Sequence, residues 1–185
     1  MSPGLAFGFF GLFGNKDPEK EPLREAPTFQ ATDVQNYETS RLRFQCLRDW
    51  LVAEDAPDHD PAGHITIGSS GDSYVTIELF DPAEEPNFDD LLERIRLQFD
   101  GRVVDTETRL VFDRWGAASG TGTHLIGKIM RAFPGGCRIF VGTFDGVGVM
   151  VTEYYYDEEK ATAMDGFALI AHSFELVEYA PTTGP

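Results

Sequence analysis

The 185-residue chain has few basic residues, few cysteines and no long apolar run, and each shortage excludes a class of protein. Lysine and arginine total 15 against 31 aspartate and glutamate residues, so the formal net charge at pH 7 is −16. Because this charge repels nucleic-acid phosphates and anionic lipid headgroups, we expect no nucleic-acid partner, and membrane contact through the N-terminal tail at residues 1–14 is possible but disfavoured. No stretch approaches the roughly 18 apolar residues that a membrane-spanning helix needs. The composition, 42% hydrophobic, is typical of a folded domain.

The two cysteines, Cys46 and Cys137, form no CxxC pair and are too few for a disulfide framework. They predict two buried free thiols in a reducing compartment. A secretory signal needs a basic start, and the first basic residue here is Lys16. The sequence therefore predicts a cytoplasmic protein.

Composition changes along the chain and divides it into four parts. Residues 1–14 carry no charged side chain and form a predicted hydrophobic aromatic tail. Residues 15–36 mix prolines with both signs of charge, which predicts a linker that is neither helix nor strand. One α/β domain is predicted over 37–179, followed by a short C-terminal tail at 180–185. The tail phenylalanines are Phe7, Phe9, Phe10 and Phe13.

The last third of the domain has the clearest pattern. A strand ending at Phe144 meets Asp145-Gly146, a dipeptide typical of tight hairpins, and valines then alternate along the return strand. A helix follows, for which Asp157 is the predicted cap. One face of that helix carries four apolar residues: Met164, Phe167, Ala171 and Phe174.

Alternating apolar residues predict further strands at 42–46, 64–67, 74–80, 104–112 and from 125 onwards. Residues 113–124 are predicted to form a loop, and the Pro134-Gly135-Gly136 segment a turn. Between the strands, Asn87 caps a predicted helix at 88–99 that buries one apolar stripe: Phe88, Leu92, Ile95 and Phe99. The fold class is therefore α/β of the α+β type, a mostly antiparallel sheet flanked by helices.

Segment Gly122–Lys128 matches the GxxxxGK spacing of a phosphate-binding loop, but Ile129 stands where that loop needs Ser or Thr. Its residues also alternate as a strand does, so a nucleotide site is not favoured. Four metal-ligating side chains lie close together in sequence, yet a solvated acidic loop is the favoured interpretation, and we predict no metal or cofactor. These side chains are Asp58, His59, Asp60 and His64.

The remaining candidates for chemistry are hydroxyl, imidazole and carboxyl groups without a framing motif. No Gly-x-Ser-x-Gly turn surrounds a nucleophile. Glu153, which precedes three tyrosines, is a possible acid or base if it is buried. The parts of a hydrolase are present in Ser119, Thr121, Ser173, His124 and His172.

The order of the predicted elements resembles the PsbP and DcrB-like superfamily, whose fold a Ran-binding nuclear-import factor also uses. The resemblance covers about residues 37–179. Its first motif, Phe44–Trp50, matches a strand and Pro-x-Gly-Trp turn, with Leu47 and Asp49 in place of the proline and glycine. Its second is a terminal helix that ends in Ser173-Phe174. The resemblance implies an α-β-α sandwich and a non-enzymatic role, as a photosystem accessory subunit, a small-GTPase binder or an adaptor.

The function predicted from all this is a non-catalytic binding or adaptor module that contacts a protein partner. The alternative is a small hydrolase or nucleotide-binding enzyme that uses the 113–124 loop and His124. Tyrosine is enriched in binding surfaces and clustered phenylalanines make an apolar patch, so six residues are predicted to contact the partner. They are Phe7, Phe9, Phe10, Phe13, Tyr154 and Tyr156.

Overall fold

The computed structural model describes residues 18–30, 33–54, 64–84, 87–98, 105–129 and 132–177. They form two helices, α1 (Phe88–Gln98) and α2 (Lys160–Ser173), and a 3₁₀ turn at Pro82–Glu84. The strands are β1 (Glu19–Lys20), β2 (Val34–Glu38), β3 (Leu42–Leu47), β4 (Leu51–Glu54), β5 (His64–Gly68), β6 (Tyr74–Phe80), β7 (Asp105–Trp115), β8 (Ala118–Ile129), β9 (Phe133–Phe144), β10 (Val147–Tyr156) and β11 (Glu175–Leu176).

The strands make two sheets. The large sheet has eight strands in the order β1-β7-β8-β9-β10-β6-β5-β4, and the small sheet has the order β11-β3-β2. Every pairing between the described strands is antiparallel except that of β1 with β7. The predicted class, a mostly antiparallel sheet flanked by helices, is confirmed. Within the described residues, no helix has the length and apolar character to cross a bilayer.

The two faces of the large sheet carry separate apolar cores. On the α2 side, Val149 and Val151 of β10 pack with Phe167 of α2 and Leu42 of the small sheet. On the α1 side, Ile139 of β9 packs with the helix residues Leu91 and Leu92. The sheet is thus the middle layer of a sandwich.

Two local predictions are confirmed by geometry. Asp145 and Gly146 have φ values of 47° and 81°, the left-handed conformation that a tight hairpin turn needs. The Oδ1 atom of Asn87 accepts hydrogen bonds from the amides of Asp89, at 2.9 Å, and Asp90, at 3.2 Å. Asn87 is therefore the cap of α1, because it satisfies amides that the first helical turn leaves unpaired.

The 15–36 segment differs from its prediction as a linker without strand. Glu19 and Lys20 pair in parallel with Leu110 and Val111 of β7, and the amide of Glu21 donates to Val111 O at 2.7 Å. Residues 34–36 belong to β2. Proline removes donors only at its own positions, so the residues between prolines remain free to pair. The division of the chain into tail, linker and domain stays a prediction.

The predicted loop at 113–124 is a hairpin, and this is a correction. Residues up to Trp115 continue β7, Gly116 has a φ of 57° in the turn, and β8 begins at Ala118. The glycines that predicted a loop lie inside β8, where neighbouring atoms leave no space for a side chain. A Cβ atom on Gly122 would lie 2.4 Å from the Phe112 ring. Likewise Pro134-Gly135-Gly136 is not a turn but the start of β9.

The cap of α2 is also corrected. Glu159, not Asp157, is the N-cap residue, and its side chain makes no capping bond to its own helix. Its carboxylate instead accepts hydrogen bonds from the hydroxyls of Ser69, at 3.2 Å, and Ser73, at 2.6 Å. These bonds, with the hydroxyl of Ser73 first, lower the pKa of Glu159. The predicted apolar face of α2 is confirmed, whereas Phe99 and the side chain of Ile95 lie outside the described residues.

Candidate functional site

A row of three charged or polar side chains crosses the α2 side of the large sheet. His124 of β8 lies opposite Arg138 of β9, which lies opposite Glu153 of β10. Their exposed fractions are 2%, 9% and 1%. Because charges in such a setting are costly unless paired, their partners decide what the row can do.

The row is completed by Glu21, which the chain places at the end of β1. Its Oε1 atom lies 3.1 Å from His124 Nδ1, and its Oε2 atom accepts from Arg138 Nε at 3.2 Å. Glu21 is 6% exposed. A residue 103 positions away in sequence therefore closes one end of the row.

Tyr155 and Trp115 complete the cluster. The Tyr155 hydroxyl lies 2.9 Å from His124 Nε2, and Trp115 Nε1 donates to Glu153 Oε1 at 2.9 Å. Arg138 Nη1 donates to the other carboxylate oxygen, Glu153 Oε2. We refer to these six residues as the polar cluster: Glu21, Trp115, His124, Arg138, Glu153 and Tyr155.

The electrostatics of the polar cluster hold its charges in place. Burial raises the pKa of Glu21, but the hydrogen bond to His124 and the positive charge of Arg138 outweigh burial and bring that pKa down to about 2. Burial lowers the pKa of Arg138, and the charges of Glu153 and Glu21 outweigh that and raise it. Burial also raises the pKa of Tyr155 to about 12. At neutral pH the cluster thus contains an ionised Glu21, a charged Arg138 and a neutral phenol.

Glu21, His124 and Tyr155 resemble a proton relay, because the ionised Glu21 only accepts and His124 Nδ1 must therefore carry a hydrogen. The relay does not continue to solvent, however, because its last group, the Tyr155 hydroxyl, is enclosed by the protein. Tyr155 is fully buried, and a Cβ atom on Gly136 would lie 2.4 Å from its hydroxyl. Each acid or base in the cluster has another member as its partner, so the arrangement is a structural network.

A different feature lies on the α1 side. The α1 groove is an open groove of about 790 Å³ between the start of α1 and strands β7 to β9. Its apolar lining includes Phe88, Val111 and Val141. Its charged lining includes Lys20, which donates to Asp113 at 2.8 Å, and that hydrogen bond lowers the pKa of Asp113.

The side chains predicted as parts of a hydrolase do not meet at one site. The hydroxyl of Ser173 links α2 to β3, since it donates to Leu169 O at 2.7 Å and accepts from the Gln45 amide at 2.8 Å. His172 Nδ1 donates to Ala168 O at 2.9 Å. Ser119 and Thr121 are exposed in β8, and Gly122–Lys128 lies wholly within the same strand. The interpretation of that segment as a strand is confirmed.

The metal and thiol predictions fare differently. Residues 58–60 lie outside the described residues, and His64 begins β5. The described residues contain no cluster of His, Cys, Asp and Glu that could hold a metal ion. Cys46 and Cys137 are buried free thiols, as predicted, and burial raises the pKa of Cys137 to about 12.

The six residues predicted to contact a partner fall into two groups. The four tail phenylalanines lie outside the described residues. Tyr154 is 5% exposed and stacks on Tyr74 with ring centroids 5.1 Å apart. Tyr156 is half-buried, and its ring meets that of Phe133 at 6.1 Å. Their role in partner binding stays a prediction.

Sequence reasoning considered His124 and Glu153 but missed the rest of the polar cluster. A signal existed for Glu153, because it alternates with Val149 and Val151 on the buried face of β10. Arg138 stands between two buried residues of β9 in the same way. Glu21 gave no such signal, since its partners are more than a hundred residues away.

Among known protein families, none matches this sequence. Among curated proteins, none matches it either. The chain is similar in structure to cyanobacterial PsbP (CyanoP) from Synechocystis sp. PCC 6803, solved in solution, with 14% identity and a TM-score of 0.48. The similarity covers 84% of this chain and 99% of that one. The links to DcrB-like proteins and to the Ran-binding import factor stay predictions.

Proposed function

We propose that the chain is a non-catalytic binding module that contacts a protein partner through the α1 groove. The observation that carries this proposal is the contrast between the polar cluster and the groove. The acids and bases of the cluster are buried and bond one another, whereas the groove lies open on the other side of the sheet.

The size and lining of the α1 groove favour a polypeptide segment. A volume of about 790 Å³ lies within the roughly 300–1,000 Å³ typical of ligand sites. The groove offers both signs of charge, with Lys20 and Arg109 against Asp89 and Asp113. Since neither sign dominates, the lining favours a segment that mixes apolar and polar side chains over a highly charged ligand.

The aromatic tail extends the same proposal. Lys20 lines the groove, and Phe13 precedes it by only seven residues, a span of at most about 25 Å when extended. Burying one phenylalanine contributes about 1.5–3 kcal/mol, so two or three of the tail phenylalanines would add substantially to partner binding. We also propose Tyr154 and Tyr156 as partner contacts and the cytoplasm as the location.

The proposal is tested with peptides selected from a random library displayed on phage. The strongest peptide is synthesised and its Kd measured by calorimetry against the full chain and two variants. Thr121→Trp fills the groove from an exposed position, and Thr162→Trp is the matched control, the same substitution on the exposed side of α2. We expect Thr121→Trp to raise the Kd about tenfold or more and the control to leave it unchanged. Failure to select any peptide, or equal binding to both variants, would overturn the proposal.

A further inference from the structure

A second, smaller cavity lies on the α2 side of the sheet, next to the polar cluster. It has a volume of about 220 Å³ and lies between the segment that follows β1, the end of β7 and the last turns of α2. Three of the 15 basic residues of the chain line it, together with His172 and one carboxylate, that of Glu21. We call it the arginine cavity, after Arg24, Arg114 and Arg138.

The three guanidinium groups are held differently. Arg138 is 9% exposed and its Cζ atom lies 4.4 Å from the centre of the Phe112 ring, so it is fixed in orientation. Its Nε and Nη1 atoms bond carboxylates, whereas its Nη2 atom has no bonding partner in the described part of the chain. Arg24 Nη2 lies 3.4 Å from Glu21 Oε1. Arg114 is exposed, and its side chain makes no hydrogen bond with the described residues.

The charges do not balance. Three arginines and Glu21 line the cavity, with Glu153 behind Arg138, which leaves a surplus of one positive charge. The C-terminal end of α2, which borders the cavity, offsets about half a charge through the helix dipole. A surplus of this size suits one monoanion and disfavours a dianion. It is also a local exception in a chain whose net charge is −16.

The rest of the lining is apolar and suits the organic part of such an anion. The aromatic residues Phe112, Trp115 and Phe167 contribute to the wall, with the small residues Ala168 and Ala171. A volume of about 220 Å³ lies below the usual range for whole drug-sized ligands, so a single small group fits and a nucleotide does not.

We propose that the arginine cavity binds a carboxylate group attached to a small apolar or aromatic moiety. Arginine is suited to this because its planar guanidinium donates two parallel hydrogen bonds to a carboxylate. The carboxylate belongs either to a free organic acid or to the C-terminus of a polypeptide. This proposal goes beyond the α1 groove, from which the cavity is separated by the large sheet.

The experiment measures the Kd of four probes by calorimetry with the full chain. Phenylacetate represents a free acid and phenylacetamide is its neutral counterpart. An acetylated tripeptide ending in phenylalanine represents a C-terminus, and the same peptide with a terminal amide is its counterpart. Arg114→Gln removes a cavity guanidinium from an exposed position, and Arg43→Gln removes an exposed guanidinium of β3, which pairs with Glu175, as the control.

We expect saturable binding of phenylacetate, of the acidic peptide or of both, and none of the amides. Arg114→Gln should raise the Kd about tenfold, the worth of a charge-assisted hydrogen bond, and Arg43→Gln should not. Binding of phenylacetate alone would assign the site to free acids, and binding of the peptide alone to polypeptide C-termini. Absence of saturable binding by both acids, equal binding of the amides, or an unchanged Kd in Arg114→Gln would overturn the proposal. Thr121→Trp, which tests the groove, should leave these values unchanged.

Discussion

The two faces of the large sheet share their strands but differ in how they are covered. On the α2 side, eight residues of α2 are buried and the six side chains of the polar cluster bond one another. On the α1 side, the helix covers part of the face with Leu91 and Leu92 and leaves a groove of about 790 Å³ open beside it. Charged side chains therefore do not mark a reactive site when every one of them has a partner. The surface available to a ligand lies where packing stops.

The largest expected effect comes from breaking the polar cluster. Arg138→Met strands the buried carboxylates of Glu21 and Glu153, so the free energy of unfolding should fall by about 3–5 kcal/mol. Unfolding in urea, followed by circular dichroism, measures it. The matched control is Arg109→Met, at an exposed position of the groove, which should change stability by no more than about 0.5 kcal/mol.

Adding Glu21→Gln to Arg138→Met should recover part of the lost stability, because one stranded charge is removed. Equal stability of Arg138→Met and Arg109→Met would contradict the difference between the faces. So would a double variant that is less stable than Arg138→Met alone.

The next effect tests whether α1 contributes to the core in spite of the open groove. Leu92 is 5% exposed, so Leu92→Ala should lower the free energy of unfolding by about 2–5 kcal/mol through lost contacts and a cavity. The neighbouring Glu93 is exposed, and Glu93→Ala is the control. A urea midpoint that Leu92→Ala leaves unchanged would show that α1 is not packed as described.

A smaller effect is expected at the closest approach on the α2 side. A Cβ atom on Gly166 would lie 2.5 Å from the ring of Trp50. Overpacking costs about 1–3 kcal/mol, and alanine regains about 1 kcal/mol of helix propensity, so Gly166→Ala should cost up to about 2 kcal/mol. The exposed neighbour Asp165 gives the control, Asp165→Ala. A more stable Gly166→Ala protein would mean that the helix has room to move away from Trp50.

The smallest effect is a pH dependence that separates Glu21 from the surface carboxylates. Its pKa is about 2 in the fold against an ordinary 4.5, so its stabilising contribution is complete above about pH 4.5 and is lost as pH falls towards 2. The stability difference between the native chain and Glu21→Gln should therefore shrink between pH 6 and pH 3.5. Glu158→Gln, at an exposed position, is the control. A difference that stays constant over this range would refute the assigned role of Glu21.

Much of the fold follows from local patterns. The Asp145-Gly146 turn, the Asn87 cap and the alternation in β3, β5 and β6 each act over a few residues, and the structure confirms them. The buried face of α2, and Leu92 of the predicted α1 stripe, follow from helical spacing in the same way.

The rest depends on contacts that no local pattern carries. β1 forms a strand by pairing with the edge of β7. The carboxylate of Glu21 is buried where it can bond His124 and Arg138, which are distant in sequence. Gly122 weakens the strand signal of β8, yet the strand requires a residue without a side chain beside Phe112. No sequence pattern predicts the α1 groove, because the groove is the part of the sheet face that α1 does not cover.

Binding in the α1 groove is tested by mapping the selected peptide onto the chain by NMR. The protein has a mass of 20.5 kDa, which suits amide chemical-shift mapping with ¹⁵N labelling. If the groove is the binding site, shifts should concentrate at its lining: Asn87 to Asp89, Arg109, Val111 to Asp113, Gly120 to Thr123, and Val141. Amides of Glu153 and Tyr155 should stay near their free positions. Shifts centred on the polar cluster or on α2, with the groove unaffected, would contradict binding in the groove.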